Sequence, residues 1–391
     1  MLNLKRDLIF TLVIICLKNN YSLGITDYNI SLEDTYVFPV SSFELNSAFS
    51  ESDRKLIQLH IFFRHGMRAP DFLYPKDPNP ANIWKEGLGR LTKLGKYQNY
   101  ALGRQLRLMY KDFITSNPQE VRVLSAKRNR CILSALCHMA ALYAPDENWQ
   151  FVPDFPWQPI PVKYESIGND KYLGIDRECP AARAEANNIS NSDEGKEIME
   201  SHKEMFKDLQ HFSGFKIGSL TDAEELAEIL AIEKANNFTI PSWAPQYWKE
   251  LDYINHAACY LRVQSKKYQR LRAGPLLGYI KKKMEHRIDG RSRKVHVYSG
   301  HKKTVTAVLG ALDVYNKKEP PFCATIIFEL YKEREGNSVR LLYFNSTSPE
   351  NGDQIPHVLK LPKCEEFCPF ENFVRVVEEV EPTDWENECQ L

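Results

Sequence analysis

The segment Arg64-His65-Gly66-Met67-Arg68-Ala69-Pro70 carries residue types that can hold and attack a phosphoryl group. Two guanidiniums four residues apart around a turn can converge on one tetrahedral anion, and the planar arginine fork donates its hydrogen bonds in pairs. A histidine set between them has its imidazolium form disfavoured by the neighbouring charge. That leaves a neutral ring nitrogen as a nucleophile. Gly66 lets the backbone approach closely. On its own an Arg-His-Gly tripeptide reads as a basic surface loop. Here two more polar clusters also follow strand-like runs: Ser125 to Arg130, and Ser299-Gly300-His301 with Lys302 and Lys303 behind it.

These clusters need elements to bring them together. Residues 55–63, KLIQLHIFF, form a near-continuous apolar run that reads as a buried strand of a parallel sheet. Residues 121–124 and 294–298 read as further strands. Tyr97, Ala101, Leu102, Leu106 and Met109 have helical spacing, as do Ile132, Leu133, Leu136, Met139 and Ala140. Residues 326–332 and 339–344 flank a Glu-Gly-Asn-Ser turn and read as a hairpin. From 181 to 269 strand signals are few. Residues 202–211 look helical, and Thr221-Asp222-Ala223-Glu224 reads as a capping-box start to another helix. Strand–helix alternation predicts an α/β layer sandwich with a mostly parallel central sheet, interrupted by a helical insertion. In such sheets ligands bind beyond the carboxyl ends of the strands, where all three clusters fall.

Taken jointly, RHGMRAP after a buried strand, SAKRNRCILSAL with an arginine before a helix, and the late YSGH resemble the histidine acid phosphatase family. NNFTIPSWA (236–244), LPKCEEFCPF (361–370) and the terminal DWENEC are similar to segments of its secreted and lysosomal animal members, insect venom enzymes among them. The resemblance runs from about residue 55 to 389 and implies a three-layer histidine-phosphatase fold, with residues 55–180 and 270–391 forming the α/β part and 181–269 a cap. It implies that His65 is the nucleophile and forms a phosphohistidine. Arg64, Arg68 and Arg130 would clamp the phosphoryl oxygens, with His301 as a further donor. It implies a small phosphomonoester or phosphorylated ligand, no cofactor or metal, disulfides Cys364–Cys368 and Cys179–Cys389, and homodimerisation. Cys323 matches a family cysteine whose usual partner is missing, with Cys259 a candidate replacement. Cys131 and Cys137 have no counterpart, and six residues along one helix, roughly 9 Å of rise, disfavour a mutual bond.

One position departs from the family. After the second histidine the family usually places an acid that protonates the leaving oxygen, and this chain has Lys302. General acid catalysis is worth about 10²–10⁴-fold in rate. An ammonium with a free pKa of about 10.4 is a poor substitute. Neighbouring arginines are expected to lower that pKa, and the extra charge to strengthen phosphate binding. Met67 and Asn129 stand where acidic or polar residues are common, so the site is expected to be unusually positive. The reading is a phosphomonoester hydrolase with weakened proton donation at Lys302, or alternatively an inactive relative that binds phosphorylated ligands or proteins.

Other residues have plainer readings: His60, His256 and His296 as satisfied histidines, Trp243 as packing, and Lys303 as a solvated first-turn residue. Lys5 and Arg6, the apolar run 8–17 and Ser22-Leu23-Gly24 have the layout of a secretory signal peptide, residues 1–24, followed by a polar lead-in, 25–54. The apolar run is about half of the roughly 20 residues that span a bilayer. The expected location is extracellular, with the lysosome as second choice and no membrane in the mature form. Eight cysteines outside the signal suit an oxidising compartment. Asn29, Asn188, Asn237 and Asn345 lie in glycosylation sequons. A net charge of +0 gives no case for a nucleic-acid partner.

Overall fold

The computed structural model describes residues 54–391, apart from 167, 175–176, 346–347 and 353. The signal-peptide segment, nearly all of the lead-in and Asn29 lie outside the described residues. The strands are β1 (Lys55–Arg64), β2 (Val121–Ser125), β3 (Val162–Lys163), β4 (Val295–Gly300), β5 (Thr325–Lys332), β6 (Asn337–Phe344), β7 (His357–Leu359) and β8 (Cys368–Pro369). They form one sheet in the order β3-β2-β4-β1-β5-β6-β7, with β8 also on β6. The pairs β3–β2, β2–β4 and β4–β1 are parallel, and those from β1 through β5 and β6 to β7 are antiparallel. The sheet is therefore mixed. Its parallel half contains β1, β2 and β4, whose ends carry the three polar clusters.

Alternation along β1 sorts its side chains between two cores. Phe62 joins Tyr298 and Phe328 under the helices Gly274–Ile288, Lys302–Ala311 and Phe370–Glu378. Leu59, Ile61 and Phe63 pack with Leu102, Leu106 and Met139 of the helices Lys93–Met109 and Asn129–Leu142. Both faces of β1 are covered, which is why its sequence reads as a continuous apolar run. A third core, including Phe206, Leu226, Leu230, Leu251 and Ile254, belongs to the helices between Pro180 and Arg272.

Three local expectations are corrected. Tyr97 and Met109 are exposed, and so is Leu136; the buried faces of these two helices carry Gln98, Asn99, Ser134 and His138 instead. Hydrophobic spacing misjudged the faces because the helices bind the Arg-His-Gly loop through polar groups. The third concerns the cap helix, Leu220–Ala235, whose N-cap lies two residues before the expected Thr221. Ser219 is its N-cap, accepting from the Asp222 amide at 3.2 Å while its hydroxyl donates to the Asp222 carboxylate.

Two disulfides are present among the described residues, Cys179–Cys389 and Cys364–Cys368. The first closes a separation of 210 residues and ties the C-terminus to the helix Pro180–Ser190. A loop that long contributes roughly 2–5 kcal/mol through the unfolded chain. Cys259 and Cys323 are separate buried thiols, so the suggested bond between them does not form. Among the described residues no helix is long and apolar enough to cross a membrane.

Candidate active site

The sheet register aligns the clusters. Arg64 lies opposite Gly300 across β1–β4, and Ser125 opposite Ser299 across β2–β4. The His65 amide then donates to the Gly300 carbonyl at 3.0 Å. The loop beyond is fastened to the covering helices. The Gly66 amide donates to Ser134 Oγ and the Met67 amide to Gln98 Oε1, at 3.1 and 2.9 Å. Thr92 caps the helix Lys93–Met109 and also donates to the Met67 carbonyl. A Cβ at Gly95 would lie 2.0 Å from the Met67 carbonyl oxygen, and one at Gly66 2.3 Å from the Gly95 carbonyl oxygen. Glycine at both places is what lets this loop sit against the helix.

Arg64, His65, Arg68, Arg130, His301 and Lys302 line a single cavity of about 320 Å³. His65 is buried, and its Nδ1 lies 2.9 Å from the Gly66 carbonyl oxygen. A carbonyl can only accept, so Nδ1 carries the proton and Nε2 keeps its lone pair. Burial, then the charges of Arg130, His301, Arg64 and Arg68, hold the ring's pKa well below the usual histidine value. Both effects favour the neutral imidazole. His301 is the N-cap residue of the helix Lys302–Ala311, and its ring meets that of His65 edge-on with centroids 5.5 Å apart.

The surroundings of Lys302 overturn two expectations. Lys302 is buried rather than free in the cleft, with Nζ 2.9 Å from Glu224, 3.0 Å from Glu319 and 3.6 Å from Glu228. Burial alone would lower its pKa, but the three carboxylates outweigh burial and hold it well above the usual lysine value. The site is also not unusually positive. Arg64 pairs with Glu228 at 3.0 Å and Glu319 at 3.1 Å. Arg68 pairs with Glu228 at 2.9 Å and Asp71 at 3.4 Å, and Arg130 pairs with Asp71 at 3.0 Å. Arg262 pairs with Glu224. Five cations (Arg64, Arg68, Arg130, Arg262, Lys302) thus face four carboxylates (Asp71, Glu224, Glu228, Glu319) in one network.

Sequence reasoning missed these carboxylates. Their signal lay in the cap helix, where Glu224 and Glu228 stand four apart and Glu224 is buried among Ala223, Leu226 and Ala227. A carboxylate inside an apolar helix face needs a cation from elsewhere. The Arg64 guanidinium also lies 3.9 Å above the Phe322 ring and donates to the Pro320 carbonyl. Among the described residues no cluster of histidine, cysteine and acidic side chains has a metal-binding arrangement. Asn188, Asn237 and Asn345 are exposed. Lys303 is also exposed, at the cavity edge.

Comparisons with known proteins identify the family. Residues 55–344 match the model of the histidine phosphatase superfamily, branch 2. The chain is 34% identical to prostatic acid phosphatase of Rattus norvegicus over 338 residues, covering 84% of this chain and 87% of the relative. It is 33% identical to lysosomal acid phosphatase of Homo sapiens, covering 86% and 81%. The fold is shared with a phytase from Hafnia alvei, at TM-score 0.67 and 17% identity over 88% of this chain and 100% of the other. The phytase from Citrobacter braakii gives TM-score 0.64 at 19% identity, over 86% and 100%. The chain therefore belongs to branch 2 of the histidine phosphatase superfamily and is a phosphoric monoester hydrolase.

Proposed function

We propose that the protein is a secreted acid phosphatase that transfers the phosphoryl group of a small monoester to His65 and then to water. The observation that carries this reading is the neutral His65, with Nδ1–H tied to the Gly66 carbonyl and Nε2 left as the nucleophile, in a cavity walled by Arg64, Arg68 and Arg130. Those guanidiniums, with His301, would take the charge spread over the transferring oxygens. Lys302 has no part in proton transfer on this reading. An ammonium held by three carboxylates gives up its proton less readily than a free one.

The two-step route is tested by partition. With an alcohol competing with water, aryl and alkyl phosphomonoesters should give the same ratio of transferred to hydrolysed product, because every substrate passes through one phosphoenzyme. A ratio that changes with the leaving group would overturn the reading. Secretion is supported by the N-terminal signal layout, the two disulfides and three exposed sequon asparagines. Protein recovered from the medium of expressing cells should start near Ile25 and gain mobility after glycan removal. An intact N-terminus or retention in the cytosol would contradict it.

A further inference from the structure

We propose that Glu228, on the cap helix, is the acid–base group of this site: it protonates the leaving oxygen and afterwards takes a proton from the attacking water. The inference rests on the phosphohistidine reading above. An alkoxide is too poor a leaving group to depart unprotonated at speed, so some group in the cleft must donate. Lys302 is held in its charged form, and the arginines do not give up protons.

His301 serves the phosphoryl oxygens on the reading above, so the carboxylates remain, and their positions separate them. Glu224 lines the cavity but is almost fully buried and held by both Arg262 and Lys302, and Glu225 lines it without pairing with Arg64 or Arg68. Glu319 pairs with Arg64 and Lys302 but does not line the cavity. Asp71 is 49% exposed at the rim, shared between Arg68 and Arg130. Glu228 lines the cavity and bridges the two arginines that flank His65, Oε1 to Arg64 and Oε2 to Arg68. It stands on the wall built by the helix Leu220–Ala235, whereas His65 stands on the wall built by the strand ends. In-line displacement sends the leaving oxygen away from the attacking nitrogen. On this proposal that oxygen lies beside Glu228.

The same contacts supply a way to load the proton. In the free site burial favours the neutral form of Glu228, but Lys302, Arg68 and Arg64 outweigh it and pull the pKa down to about 2. Glu224, on the same helix, pushes the other way. A phosphomonoester dianion engaging Arg64 and Arg68 displaces the carboxylate from both and sets two negative charges beside it. Both changes favour the protonated acid. His65 Nε2 then bonds to phosphorus as the ester P–O bond breaks. The departing oxygen keeps the bond pair and receives the Glu228 proton, leaving as a neutral alcohol. In the second step water oxygen bonds to phosphorus, the N–P bond breaks, and the water proton passes to the Glu228 carboxylate. The sum is ester plus water to alcohol plus phosphate.

Steady-state kinetics of Glu228→Gln test this, using an aryl phosphate and glycerol 2-phosphate, with inorganic phosphate as competitor. The expected result is a fall in kcat of about 10²–10⁴-fold on the alkyl ester. In kcat/KM, which ends at formation of the phosphoenzyme, the loss on the aryl ester should be under about tenfold, because that leaving group needs little protonation. Inorganic phosphate should bind more tightly, since the variant lacks the anion that competes for Arg64 and Arg68. Glu228→Asp should keep part of the alkyl-ester activity. Arg64 retains Glu319 and Arg68 retains Asp71 in these variants, which favours folding. Equal losses of kcat/KM on both esters, weaker phosphate binding, or unchanged kcat on the alkyl ester would each overturn the proposal. If the wild type forms no phosphoenzyme, the underlying reading fails. If it does and Glu228→Gln matches it on both esters, the acid–base role alone fails.

Discussion

Replacing Lys302 with aspartate, the exchange that would restore a family-type acid, is expected to destabilise the protein and to give no gain in turnover. The side chain is 9% exposed, and three carboxylates approach it within 3.6 Å. Removing one partner of a buried ion network leaves uncompensated charge and costs about 3–5 kcal/mol. Aspartate adds a fourth carboxylate to the other three, so its cost should be at least as large. Lys302→Met, with similar volume and no charge, separates the lost cation from the added anion and should lie at the low end of the range. Both are measured by chemical denaturation. The pH dependence has a defined sign. Glu228 has its carboxyl pulled from 4.5 down to about 2, so its contribution is present above pH 4.5 and disappears as pH falls through 2. The deficit of either variant should be largest near neutrality and shrink as pH falls from 4.5 towards 2. A Lys302→Asp protein as stable as wild type and faster on alkyl phosphates would sink this account of position 302.

What the sequence disclosed and what it hid differ in kind. The Arg-His-Gly, Arg130 and His301 clusters were legible because each follows a strand, and parallel strands in register bring their ends together; Arg64 lies opposite Gly300 for that reason. The antiparallel half of the sheet was visible only as one hairpin, since β7 and β8 are three and two residues long. The partners of Lys302 were not legible. Read along the chain, position 302 has lysine and histidine for neighbours, so a more positive site and a lowered pKa followed. In space its neighbours are Glu224 and Glu228, more than seventy residues earlier, and Glu319 on the loop after the helix Lys302–Ala311. Charge compensation between a cap helix and a strand end is a tertiary fact. A buried glutamate in an apolar helix face hints at it without naming the partner. The same blindness explains the misjudged faces of the helices over the loop, where Gln98 and Ser134 are buried because they bind the Met67 and Gly66 amides.

His65→Ala should abolish hydrolysis while leaving the fold and the affinity for inorganic phosphate largely intact. If His65 is the nucleophile, as proposed, its removal deletes the route through a phosphoenzyme, and nucleophile deletions of this kind cost about 10⁴-fold or more, roughly 5 kcal/mol of barrier. The structural cost is smaller. His65 is neutral, so no buried charge is stranded, and the loop remains fastened by the Gly66 and Met67 amides to Ser134 and Gln98. What is lost is the ring's packing near Phe322 and one bond to the Gly66 carbonyl, about 1–2 kcal/mol. Phosphate binding persists because Arg64, Arg68 and Arg130 are untouched. The decisive measurement is rapid acid-free quenching with a phosphorus-labelled ester: wild type should carry an acid-labile, base-stable label, and the variant none. The pH profile adds a second reading. Burial and four neighbouring charges depress the His65 pKa, so the nucleophile stays deprotonated as pH falls below 6.5. The acid limb of kcat/KM should therefore lie well below 6.5, unlike that of an ordinary histidine. Label retained in His65→Ala would place the nucleophile elsewhere, and an acid limb at 6.5 would contradict the depressed His65 pKa.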